Sequence, residues 1–148
     1  MTALPAGLPM AWLETAEYTL DASRAVLETE NYPIACELAW GAAENALKAT
    51  IFQKAEGRSL PDREYKLHRI PELYSKVTEH DSLRILDSVQ EFNDYNEYVR
   101  YPKWKGSGEI EMPSEKYTET RAERAVVSAA LILDAVHNHI SQSVSSFI

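Results

Sequence analysis

The sequence predicts an all-α protein, an antiparallel up-and-down bundle of four to five helices with a long C-terminal helix. Apolar residues recur at three- and four-residue intervals along most of the chain, which is the period of a helix with one buried face. Strand-length alternating runs are missing, and so are internal repeats. The 148 residues suit one domain, and a chain of this size buries roughly two thirds of its unfolded surface without disulfides or metals. Residues 1–9, with Pro5, Gly7 and Pro9, read as a flexible arm, leaving 10–148 as the helical domain.

The first helix runs from Met10 to near Glu30, with Leu13, Ala16, Leu20, Ser23 and Leu27 on one face. Asn31 caps a second helix whose first turn holds Pro33, where the missing backbone donor breaks no internal bond. That helix extends to about Gln53. Its stripe of Cys36, Trp40, Ala43, Leu47 and Ile51 lies beside an alanine row, and Gly41 among those small residues suggests a crowded crossing. Glu44 and Lys48, four apart, form a pair expected on an exposed face. Residues 55–62 cross the end of the bundle, and a short helix follows from Pro71 to Val77. Asp81 or Ser82 caps a longer fourth helix reaching Val99. Pro102 stops it, and the segment to Pro113, with Gly106 and Gly108, reads as a flexible loop. The last helix starts between Ser114 and Thr118, spans roughly 30 residues at 1.5 Å each, and buries Ala122, Val126, Ala129, Leu133, Val136 and Ile140. Val144 and Phe147 continue that stripe, so the apolar end at 143–148 either closes a dimer or frays.

The net charge of -8 disfavours a surface that attracts phosphate backbone everywhere. It is unevenly spread: residues 1–54 hold seven acids and three bases, 55–112 twelve and nine, and 113–148 four and three. One cysteine, Cys36, excludes an intramolecular disulfide and a four-cysteine zinc site, and suits a reducing compartment. Without a secretory leader or a charge-free run of spanning length, the expectation is a cytoplasmic protein that uses no membrane. Glycine-rich phosphate loops, paired-histidine metal motifs and calcium loops are absent, so no metal or cofactor is expected.

Three groups remain as candidate sites. Arg63 and His68 have a spacing that brings a guanidinium and an imidazole together, or they are a solvated arginine and a packing histidine. Arg100, Tyr101, Lys103 and Lys105, with Phe92, Tyr95, Tyr98 and Trp104, interleave cations and rings in a pattern able to hold phosphates or stack bases. The same rings could instead fill the core and pin the loop. Arg121 and Arg124, three apart near the start of the last helix, face one inter-helix cleft, where they bind phosphate or pair with acids.

Over residues 11–140 the chain resembles the HEPN family, small helical proteins associated with nucleotide or RNA handling. The resemblance is carried by Trp12-Leu13, Ala16-Glu17, Leu20, Tyr32-Pro33 and the run from Trp40 to Ala49, then by His68, Ile70, Leu73 and Arg100-Tyr101-Pro102. RNA-cleaving members place an arginine, four to six residues and a histidine near the start of the last helix. Counting from Arg121 reaches Val126, Val127 and Ser128, and from Arg124 reaches Ala129, Ala130 and Leu131. The resemblance therefore implies the non-catalytic type: a homodimer that binds a protein partner, such as a separate small nucleotidyltransferase, or a nucleotide or RNA phosphate. Its ligand contacts would be Arg100, Tyr101, Lys103, Lys105, Arg121 and Arg124. The alternative is a divergent, metal-independent ribonuclease of a toxin–antitoxin system using Arg63 and His68.

Overall fold

The structure, a computed structural model, describes residues 7–54, 69–78 and 85–145. Helix α1 (Leu8–Glu28) begins two residues inside the expected arm, because Pro9 tolerates the first turn and buries its ring. Leu13, Ala16, Leu20 and Ser23 form its inner face. Thr29 donates its hydroxyl to the carbonyl of Val26 at 2.7 Å, and Glu30 turns left-handed at φ 65°, which ends the helix where the sequence places its stop. Helix α2 (Tyr32–Lys54) then doubles back; Ser23 Oγ donates to the Ala35 carbonyl at 2.7 Å across the buried seam.

Helix α2 is the axle of the bundle, packing against α1, α3 (Ile70–Thr78) and the long α6 (Glu119–Ser145). It is buried on several faces for that reason, and its residues are small: Ala35, Ala39, Ala42, Ala43 and Ala46 have no exposed surface. Lys48 departs from the sequence expectation. It is buried, with Nζ 3.4 Å from Glu44 Oε2 and 5.7 Å from the centroid of Trp12, whose ring stacks on Phe52. Gly41 is also different from the expectation of a crowded crossing. An added Cβ would meet only Thr19 Cγ2, at 3.8 Å, an ordinary contact.

The expected caps Asp81 and Ser82 lie outside the described residues, and from 85 to 99 the expected fourth helix is largely replaced. Helix α4 covers only Leu86–Gln90, a 3-10 turn covers Glu97–Val99, and i to i+3 bonds carry the chain between them. Asn93, Asp94 and Asn96 explain the break, since short polar side chains compete with the helical ladder; Asn96 Oδ1 accepts the Tyr98 amide at 2.9 Å. The expected flexible loop is a small antiparallel hairpin, β1 (Lys103–Trp104) with β2 (Ile110–Glu111), which pairs Trp104 with Ile110. Its turn uses Gly106 and Gly108 at φ 82° and 85°, conformations that disfavour a Cβ. Helix α5 (Pro113–Lys116) stands apart from α6, since Tyr117 leaves helical geometry at φ -97°, ψ 78° and sinks fully into the core. The long helix therefore starts at Glu119, just beyond the expected window. Among the described residues no helix is long and apolar enough to cross a membrane. Val144 and Phe147, the apolar end expected to close a dimer, lie with their side chains outside the described residues.

Candidate functional site

The segment between α4 and the hairpin carries the chain past one end of α2 and α6, and two ionic systems form there. In the first, Arg121 on the opening turn of α6 is largely buried and grips Asp94 with both terminal nitrogens, NH1 to Oδ2 at 3.1 Å and NH2 to Oδ1 closer still. The same NH2 donates to the Glu91 carbonyl at 3.1 Å, while Nε lies 3.4 Å from the Glu91 carboxylate. Its guanidinium lies 5.0 Å from the centroid of Tyr95 and 5.8 Å from that of Tyr117, so its faces as well as its edges are used. Arg124, one turn on, donates Nε to Glu91 at 2.7 Å. Two arginines three apart on α6 thus meet two acids three apart after α4.

The lock shifts Asp94, and burial shifts the groups around it. The hydrogen bond from Arg121 holds the Asp94 carboxyl below the usual carboxylate range. Burial pushes the Tyr117 phenol up to about 12, and raises Tyr95 further and the Cys36 thiol as well. Phe92, Tyr95 and Tyr117 pack edge to face at centroid distances of 5.0 and 5.1 Å. Cys36 is buried beside them, a thiol that burial keeps protonated and a poor nucleophile.

The second system is a cleft of about 980 Å³ between α2 and residues 93–100. From α2 it receives Glu37, Trp40, Gly41 and Glu44; its far wall carries Asp94, Tyr95, Glu97 and Arg100, and Arg69 and Lys116 reach it from the start of α3 and the end of α5. Arg100 donates to Glu37 in an exposed ion pair, Lys116 Nζ lies 3.6 Å from Asp94, and Arg69 lies 3.7 Å from Glu72. Trp40, edge-on to Tyr95 at 5.9 Å, gives the cleft an aromatic wall.

Of the residues expected to contact a ligand, only Arg100 lines this cleft. Arg121 lies behind it, locked to Asp94, and Arg124 borders a different groove. Tyr101 is exposed on the hairpin side; Lys103 sits 5.3 Å over Tyr98, and Lys105 pairs with Glu111 at 3.2 Å. Sequence reasoning missed Trp40, Arg69 and Lys116, which come together only through the crossing of α2 by the 93–100 segment. Arg63 and His68 lie outside the described residues. Among the described residues no group of three metal-ligating side chains converges.

A bundle built on an alanine-rich central helix, with an arginine lock between its last helix and the preceding turn, is a compact helical scaffold bearing a small mixed-charge cleft. Residues 10–139 match the model of the HEPN domain, and the chain belongs to the HEPN family. Among solved structures it is similar to a protein of Thermus thermophilus, with a TM-score of 0.70 and 26% identity over 88% of this chain and 96% of that one. It is also similar to an archaeal HEPN homologue, at a TM-score of 0.62 and 25% identity, covering 89% and 97%. An HEPN domain protein of Thermotoga maritima shares the fold at a TM-score of 0.62 and 22% identity, covering 88% and 98%. No curated protein matches the sequence.

Proposed function

We propose that this chain is a non-catalytic HEPN-domain module that works as a homodimer and takes a phosphate-bearing ligand, a nucleotide or an RNA phosphate, in the cleft beside Trp40. A protein partner such as a small nucleotidyltransferase would present or share that ligand. The observation that carries the reading is the convergence of Arg69, Arg100 and Lys116 from three separate elements on one aromatic-walled cavity. Trp40 offers a face to a base, and the cations offer donors to a phosphate.

The existing ion pairs do not oppose this. Arg100 and Glu37 are both solvent-accessible, and such pairs contribute at most about 1 kcal/mol, so a phosphate can take the guanidinium at little cost. The carboxylates of Glu37, Glu44, Asp94 and Glu97 outnumber the three cations, which favours a small ligand over a long polyanion. Support for a non-catalytic role comes from α6: Arg121 is consumed by Asp94 and Glu91, and no histidine follows it at the spacing RNA-cleaving relatives use. Calorimetric titration with inorganic phosphate, AMP and a short single-stranded RNA tests the reading. Binding that falls about tenfold in Arg100→Ala and in Lys116→Ala is the expected result; equal affinity in both variants would remove the cleft from consideration.

A further inference from the structure

Helix α6 has a second surface, on the side opposite its buried stripe. Thr120, Arg124, Val127, Leu131, Asp134 and Asn138 follow one another there in steps of three and four, and all six are exposed. Val127 and Leu131 are 59% and 52% exposed, high for two aliphatic side chains one turn apart on a rigid helix. A groove of about 570 Å³ runs between α4 and α6, where the carboxylates of Asp87, Glu91 and Glu123 border it beside Arg124, Val127 and Ser128.

The order of residues along this stripe is symmetric. Val127 and Leu131 each stand two residues from Ala129, Arg124 and Asp134 five, and Thr120 and Asn138 nine. An isologous interface requires this kind of self-complementarity, because a two-fold axis brings each position opposite its mirror position in the partner. We propose that α6 docks antiparallel on α6 of a second copy, about an axis level with Ala129. The proposal rests on the homodimer reading above and assigns its interface. Val127 is then level with the partner's Leu131, Arg124 with the partner's Asp134, and Thr120 with the partner's Asn138. Leu131 of each copy lies over the groove between α4 and α6 of the other.

Charge selects this arrangement. A parallel alignment in the same register would set Arg124 against Arg124 and Asp134 against Asp134, repulsions that the antiparallel one replaces with two attractions. Arg124 is held by Glu91 through Nε at 2.7 Å and NH2 at 3.5 Å, yet its side chain is 60% exposed, and a guanidinium has five donors, so its NH1 remains to meet a second carboxylate.

Sedimentation velocity on the full chain, over a wide concentration range, supplies the test. The wild type is expected to be a dimer, and Val127→Asp combined with Leu131→Asp a monomer with an unchanged helical circular-dichroism spectrum. Asp134→Arg should raise the dimer Kd about tenfold or more, and adding Arg124→Glu should recover most of that loss. Spin labels placed at 120, and separately at 138, should both report an axial separation of about 27 Å between copies, eighteen residues at 1.5 Å each. A wild type that stays monomeric overturns the homodimer reading and this interface together. A wild-type dimer that survives the double aspartate variant, or unequal distances from the two label sites, overturns the interface and leaves the homodimer standing.

Discussion

Arg121 shows how a residue with the right chemistry for a ligand can be spent on structure. Its side chain is 15% exposed: its terminal nitrogens go to Asp94 and the Glu91 carbonyl, its faces to Tyr95 and Tyr117, and its buried Nε has only an ion pair to the Glu91 carboxylate, without a hydrogen bond. Arg121→Met should cost roughly 1–3 kcal/mol in urea unfolding, since it removes the bidentate partner of Asp94 and one cation from Glu91; Arg124 still serves Glu91, and Asp94 keeps Lys116 and is half open to water, which keeps the loss from being larger. The lock also gives the stability a pH dependence of definite sign. Because Asp94 binds its proton more weakly folded than unfolded, its contribution is complete at neutral pH and disappears as the pH falls through and below the ordinary carboxylate range. Asp94→Asn should therefore lower stability at pH 7 and make the acid limb of the stability profile shallower; parallel profiles for the two proteins would show that the pair contributes nothing. The spacing of Arg121 and Arg124 was visible in the sequence as a phosphate clamp or an acid-paired couple, and the structure pairs both with acids 27–33 residues upstream.

At the scale of elements, helix α2 separates what periodicity reveals from what it hides. Its alanine row predicts close packing, and Ala42, with no exposed surface, is such a contact; Ala42→Leu should destabilise by about 1–3 kcal/mol or more through overpacking. Gly41, next to it, looks similar in sequence but faces the cleft edge, where a methyl group fits. Gly41→Ala should then stabilise by about 0.5–1 kcal/mol through helix propensity, and thermal unfolding of the two variants should move in opposite directions. The three long helices were legible because each repeats its pattern over many turns. The 86–117 region was not, because Asn93, Asp94 and Asn96 interrupt a run whose apolar residues alone still look helical: Asn96 caps the Tyr98 amide locally, and Asp94 is drawn to Arg121 across the bundle. The hairpin did leave a signal: Lys103-Trp104-Lys105 and Glu109-Ile110-Glu111 alternate around Gly106 and Gly108. It is only two residues per strand, too short for periodicity to register.

For the molecule as a whole, the net charge of -8 and the position of the cations together set how a nucleic acid would be held. The candidate cleft was illegible in sequence for a topological reason: Trp40, Arg69, Arg100 and Lys116 are spread over more than half the chain and share no motif. Once assembled they are few. Each phosphate neutralised by a lysine or arginine releases condensed counterions, and for a single strand log K falls with log salt at a slope of about -0.7 per contact. With Arg69, Arg100 and Lys116 as the cations available in the cleft, binding of a short single-stranded RNA should show a slope of about -2 and should not steepen when the oligonucleotide is lengthened. The exposed Lys103 and Lys105 would add to the slope only if the hairpin joined the contact, and their existing partners, Tyr98 and Glu111, disfavour that. Fluorescence anisotropy across a salt series measures the slope directly. A value steeper than about -4, or one that grows with RNA length, would require an extended basic track and would place the ligand outside the cleft.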